Sequence, residues 1–188
     1  MRREAIISEH AQHPNSDLLD EINARGHANV ARCFNCGKCS GGCPLAFAME
    51  FGPQQIVRMV QLGMRDALLH SHAIWVCASC QTCTARCPNE VDVAGLIDEL
   101  RRMSLEAGLE PAEPRVAQFH RAFLETVQRS GRAHELELTA RFKLAARDPL
   151  GDARLGLELL RRGKLKLTQG KVRGRDEVRR ILDRPKGS

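Results

Sequence analysis

The sequence predicts an all-α fold, and three observations carry the prediction. Leucine (22) outnumbers valine and isoleucine together (17), whereas strands favour the β-branched pair. Clean alternation of apolar and polar residues never runs beyond about five positions, and KLKLT (164–168) is the only strand candidate. Apolar residues recur instead at spacings of three and four, which gathers them on one face of a helix.

Each helix follows from local signals. The first fourteen residues look loosely ordered and end in HPNS. Ser16 or Asn15 can cap a helix through DLLDEINARG. GPQQIVRMVQLG is the next, with Pro53 in its first turn and Gly63 at its stop. Its apolar side holds Ile56, Val57, Met59 and Val60, opposite Gln54, Arg58 and Gln61. MRDALLH adds a short helix. DVAGLIDELRRMSLEAG carries the strongest signal: Asp92 can cap it and Gly108 can end it. Val93, Leu96, Ile97, Leu100, Met103 and Ala107 form its stripe, while Asp98, Glu99, Arg101 and Arg102 are expected to face away. EPRVAQFHRAFLETVQRSG follows, with a stripe of Val116, Phe119, Phe123 and Val127. HELELTARFKLAAR and DPLGDARLGLELLRRG read as helices with broader apolar faces. The glycine-interrupted basic remainder ends in one short helix and a frayed tail.

All eight cysteines lie in two short blocks, 33–43 and 77–87. A disulfide framework would scatter them to staple distant loops. MRREAIISEH is charged and lacks the apolar run of a secretory signal. No stretch approaches the roughly 18 apolar residues of a membrane helix. The expected location is a reducing cytoplasm, with attachment to a membrane through a partner as the alternative.

CFNCGKCSGGCP and CASCQTCTARCP share the form C-x2-C-x2-C-x3-C-P, 44 residues apart. Tetrahedral zinc normally takes two C-x2-C knuckles separated by a longer loop, and no such loop is present. The pattern is the bacterial ferredoxin run, whose fourth cysteine serves the other cluster of a pair. Three cysteines two residues apart form a turn that can cup one cubane. The x3 spacing carries the fourth about a helical turn onward, and proline fixes the exit of the chain. The expected ligand sets are Cys33, Cys36, Cys39 and Cys87 for one [4Fe–4S] cluster, and Cys77, Cys80, Cys83 and Cys43 for the other. The helix at 53–62 in the 33-residue spacer points to the α-helical ferredoxin arrangement. Eight ligands complete both shells, which favours electron transfer over chemistry at an open iron.

The net charge of +6 first suggests nucleic acid. Each filled site would carry −2, so two of them bring the total to about +2. Aromatic stock is also poor, with six Phe, one Trp and no Tyr, which argues against a base-stacking surface. The expected partners are proteins, not nucleic acid, and the basic segment 161–188 is a candidate dock for an acidic one.

Three parts follow: residues 1–24 with the first helix, a dicluster domain over 25–110, and a helical extension over 111–188 with a basic tail. Lys38, Arg32 and Arg86 flank the blocks and can raise a cluster potential or simply be solvated. His27, His70 and His72 find no ligand vacancy. Met59, Met64 and Met103 read as core, and Trp75 as either core or a water shield beside Cys77.

RCFNCGKCSGGCP, FGPQQIVRMVQLG, WVCASCQTCTARCP and VDVAGLIDELRRMSLEAG together resemble the C subunit of heterodisulfide reductase over most of residues 25–110. The cysteine runs alone also resemble the iron–sulfur subunits of succinate dehydrogenase, anaerobic glycerol-3-phosphate dehydrogenase and glycolate oxidase. The FGP-x2-I-x-RM-x-QLG linker favours the first family. That resemblance implies a hetero-oligomer. The chain would relay electrons between an A-type flavin and iron–sulfur subunit and a B-type subunit with cysteine-rich domains, which handles the disulfide, with no catalysis by the chain alone. Sulfur-compound metabolism is one setting. The alternatives are an iron–sulfur subunit of a flavin dehydrogenase feeding quinone, and a zinc module.

Overall fold

The computed structural model describes residues 16–26, 28–146, 153–164 and 172–183. It divides into two units, Met1–Pro114 and Arg115–Ser188. Every regular element among the described residues is helical. The sequence-predicted N-terminal segment, nearly all of the KLKLT candidate and the last five residues lie outside the described residues.

In the first unit, α1 (Ser16–Arg25) is followed by a 3-10 turn at Val30–Arg32 and the one-turn helix α2 (Lys38–Gly41). A second 3-10 turn at Ala46–Ala48 leads to α3 (Pro53–Gln61), α4 (Arg65–Leu69), α5 (Ala73–Val76), the one-turn α6 (Thr82–Ala85) and α7 (Val93–Glu106). α7 packs against α1, α3, α4, α5 and α6, so it is the axis of the unit. Leu96, Ile97 and Leu100 of α7, Ile56, Val57 and Val60 of α3, Leu18 and Ile22 of α1, and Leu68 and Ile74 are fully buried. Burying each such side chain contributes about 1.5–3 kcal/mol.

The starts of α3 and α7 are both tied to the cysteine blocks. Gly52, the N-cap of α3, has no side chain to offer. Ser40 Oγ substitutes by accepting from Gln54 N at 2.9 Å, and Gln55 Oε1 accepts from Gly52 N at 2.8 Å. At α7, Asp92 Oδ1 accepts from Gly95 N at 3.0 Å, and Thr84 Oγ1 accepts from Ala94 N at 3.1 Å. Thr84 also donates to Asp92 Oδ1 at 2.9 Å. Gly95 suits this cap, since a Cβ there would stand 2.3 Å from Asp92 Oδ2. Asp92→Ala is expected to cost about 0.5–2 kcal/mol, read as a lower denaturation midpoint of the anaerobic holoprotein.

Two expected faces differ in the structure. Glu99 and Arg101 do not face solvent; each is 8% exposed. α7 is covered on too many sides for one polar face to stay free, so both find ion-pair partners instead. Glu99 pairs with Arg102 and, at 3.5 Å, with Arg25. Arg101 pairs with Asp98 at 2.9 Å. Ala107, expected in the stripe, is exposed.

The second unit holds α8 (Pro114–Ser130), α9 (Glu135–Ala145), α10 (Ala153–Arg161) and α11 (Arg175–Leu182). On α8 the buried side chains are Ala122 and Thr126, while Phe119 and Phe123 remain 41% and 39% exposed. The buried line therefore runs one position away from the expected stripe. Phe119 meets Phe142 edge-on at 5.6 Å, Arg115 stacks 6.0 Å over the Phe142 ring, and Arg141 pairs with Glu137 and Glu125. Among the described residues of this unit, surface pairs accompany a small buried line of Ala122 and Thr126.

Candidate metal centre

Each cysteine block folds the same way because the same backbone conformations recur. Asn35 and Gly37 in the first block, and Ser79 and Gln81 in the second, are left-handed, with φ of 61°, 77°, 49° and 63°. Among the described residues, the non-glycine positions with positive φ, Asn29, Asn35, Ser79, Gln81 and Glu90, lie in or beside the blocks. Such conformations cost free energy, and they cluster where a structure must turn its amides toward a ligand. Here Asn35 N donates to Cys33 Sγ and Ser79 N to Cys77 Sγ, both at 3.4 Å. Val91 N donates to Cys87 Sγ at 3.3 Å.

The sulfurs ring two hollows. The first is lined by Cys33, Cys36, Cys39 and Cys87, together with Val57, Val91 and Val93. The second is lined by Cys43, Cys77, Cys80 and Cys83, together with Met49, Ala94 and Ile97. Each thus takes three cysteines from one block, the fourth cysteine and its following proline from the other, and an apolar helix side. Among the described residues, no three Cys, His, Asp or Glu side chains converge on one ion-sized point. Four soft sulfur donors around an apolar hollow fit a [4Fe–4S] cubane, and there are two such sets.

The exit of each block is fastened to the entry of the other. Glu50 accepts from Ser71 and, at 2.9 Å, from His72 N, ahead of Cys77. Asn89 donates to Arg32 O, and Asp92 N donates to Ala28 O at 3.1 Å, beside Cys33. Arg86 lies against Gly42, where the two x3 connectors abut.

Burial grades the thiols. Cys39 and Cys83 are buried, while Cys36 and Cys80 are exposed. Burial pushes the Cys83 thiol up to about 11 and raises those of Cys39 and Cys77. The hydrogen bond with Thr82 Oγ1, at 3.4 Å, lowers that of Cys80. Ligation requires thiolates, so filling the hollows must expel protons from the buried cysteines.

The other flagged residues sort themselves. Lys38 lines the first hollow but is exposed, and Arg32 pairs with Glu90 at 3.3 Å. His72 lies between Glu50 and Glu113, at 3.5 and 3.8 Å. The His70 ring bonds Asp66 O at 2.8 Å, and His27 lies outside the described residues. Trp75 is buried and lines neither hollow.

Sequence reasoning missed how far the repeat extends. Val30 matches Ile74, and Ser40 matches Thr84, at the 44-residue offset of the cysteines. Beyond the fourth cysteine the offset drops to 40, so Pro53 matches Val93 and Gln61 matches Arg101. Gln61 Nε2 donates to Val30 O and Cys33 O, and Arg101 donates to Ile74 O and Cys77 O. The only sequence signal was the shared ninth position of the helix that follows each block.

A family model described as a 4Fe–4S dicluster domain matches residues 29–91. Among curated proteins, the chain is 31% identical over 104 residues to the C subunit of the H2:CoB–CoM heterodisulfide,ferredoxin reductase of Methanothermobacter thermautotrophicus. That match covers 55% of this chain and 56% of the relative. The iron–sulfur C2 subunit of the CoB–CoM heterodisulfide reductase of Methanocaldococcus jannaschii is 32% identical over 126 residues, 64% of each chain. The C subunit of the ferredoxin:CoB–CoM heterodisulfide reductase of Methanosarcina mazei is 31% identical over 121 residues, 64% of this chain and 70% of that one. The chain thus spans little more than half the length of the first of these relatives. With the eight cysteines of both hollows inside the matched segment, the chain carries two [4Fe–4S] sites and belongs to the family of heterodisulfide reductase C subunits.

Proposed function

We propose that the chain is the electron-relay subunit of a heterodisulfide reductase-like hetero-oligomer. It would sit between an A-type flavin and iron–sulfur subunit and a B-type subunit with cysteine-rich domains, and it would catalyse nothing alone. The observation that carries this reading is the complete set of four cysteines around each hollow. No position is left for a substrate to take. The proposed ligands are Cys33, Cys36, Cys39 and Cys87 in the first hollow and Cys77, Cys80, Cys83 and Cys43 in the second. The proposed dicluster domain spans 25–110, after the segment 1–24 and before the extension at 111–188.

Each cluster, when bound, stores and releases one electron. The chain supplies the rest. Apolar walls exclude water, and amides at Asn35, Ser79 and Val91 hold sulfur charge. Exposed Cys36 and Cys80 bring one sulfur of each hollow to the surface, where a partner can approach. Phe123, Leu124, Leu144 and Leu157 in the second unit leave apolar surface for docking. No helix among the described residues is long and apolar enough to cross a membrane. In this reading any quinone, membrane or sulfur-compound step belongs to partner proteins.

Isolation of the native complex under anaerobic conditions tests the proposal. The expected result is about eight iron and eight sulfide in this chain, with flavin-bearing and cysteine-rich chains co-purifying. A quinone-binding membrane protein without any cysteine-rich chain would select the flavin dehydrogenase reading. Two zinc ions without sulfide would sink both.

A further inference from the structure

The two halves of the first unit agree in geometry and differ in charge at one matched position. Gln61 and Arg101 are the ninth residues of α3 and α7. Gln61 Nε2 donates to Val30 O at 3.1 Å and Cys33 O at 3.2 Å. Arg101 donates to the matching carbonyls of Ile74 and Cys77. It also donates to Ser79 Oγ at 3.1 Å and pairs with Asp98 at 2.9 Å. An uncharged amide therefore holds the first loop, and a guanidinium holds the second.

Depth decides which charges count. The Arg101 side chain is 10% exposed, while Asp98 is 50% exposed. Lys38, inside the first block, and Arg58 are both exposed, and Arg58 reaches only Gln61 Oε1, at 3.1 Å. Arg32 is half-exposed and already paired with Glu90. Water and salt screen exposed charges, whereas a buried charge acts through a lower effective dielectric.

We propose that Arg101 is a positioning residue that holds the reduction potential of the cluster at Cys77, Cys80, Cys83 and Cys43 above that of the other. The proposal rests on the relay reading and its ligand sets. A fixed positive charge stabilises the more negative, reduced state and so raises the potential. One electron then passes downhill from the first hollow, which is oxidised, to the second, which is reduced. Arg101 thereby makes the two halves of a near-symmetric scaffold electrostatically inequivalent.

The test is an EPR-monitored redox titration of the full-length holoprotein, in the wild type and in Arg101→Gln, Arg101→Lys and Gln61→Arg. Arg101→Gln copies the amide of the other half. Its expected effect is a lower midpoint for one cluster only, with Arg101→Lys retaining most of the wild-type separation. The shifted cluster must be the one whose signal Cys80→Ser removes, since Cys80 belongs to the second block under any ligand assignment. Failure of the exchanged fourth ligands, read from Cys87→Ser, is thus separate from failure of Arg101. Unchanged midpoints, equal shifts of both clusters, or a fall in Arg101→Lys as large as in Arg101→Gln would overturn the proposal. If Arg101→Gln loads only one cluster, Gln61→Arg decides: the midpoint of the first-block cluster must rise, and no rise refutes the role.

Discussion

Cys87→Ser is expected to empty the hollow built on Cys33, Cys36 and Cys39, and to leave its neighbour filled. Cys87 stands at that hollow although it lies in the second block, and its sulfur is held by Val91 N at 3.3 Å. A serine hydroxyl is a harder and more basic donor that serves iron–sulfur chemistry poorly. The hollow would keep three sulfurs and gain an opening beside Pro88. Iron and sulfide should fall from about eight to about four per chain, with one EPR signal lost and one intact. Cys43→Ser should do the reverse, emptying the hollow of Cys77, Cys80 and Cys83. If Cys87→Ser perturbs only the cluster of its own block, each block holds its own cubane and the exchange is wrong.

The largest expected loss from a residue that is not a ligand is at Ile97. It is 0% exposed, and it lines the second hollow beside Cys83 while packing on the buried face of α7. Ile97→Ala removes transfer free energy and leaves a void, which together cost about 2–5 kcal/mol. That is a large part of the stability of an ordinary domain. The void adjoins the sulfurs of the second hollow, so a chelator should bleach that cluster faster than the other. The denaturation midpoint of the anaerobic holoprotein measures the first effect, and chelator kinetics followed by EPR measure the second. Leu144→Ala is the control, because Leu144 is 76% exposed and exposed substitutions stay within about 0.5 kcal/mol. Equal losses at the two positions would contradict the central place of α7.

The helices were legible because their signals are local. Asp92 before Val93, Pro53 after Gly52, and Gly63 and Gly108 at φ of 69° mark boundaries that the structure keeps. Helices α1, α3, α4, α7, α8, α9 and α11 stand where the sequence puts them, and α10 begins at Ala153, inside the expected segment. The cofactor class was legible because cubane ligation needs four thiolates at fixed spacing. Long-range choices were not. The sequence stripe of α7 leaves Glu99 and Arg101 outside, because helical periodicity counts one partner face, and α7 has several. The same limit hides Gln61 and Ser40, whose side chains reach across to Cys33 O and to the start of α3. Their roles depend on which loops meet, and spacing along one helix does not encode that. On α8 a small residue and a threonine, Ala122 and Thr126, take the buried line from larger phenylalanines.

The fastening of each block's exit to the other's entry governs how the unit can be made. Neither hollow is walled by one contiguous stretch, since the proline-followed cysteine of each block lines the hollow of the other. A ribosome that has released only the first block has produced two partial pockets and no whole one. Both metal sites come within reach together, late in synthesis, once Cys87 and α7 have emerged. A chain cut between α3 and α5 would complete either site only when its two fragments recombine.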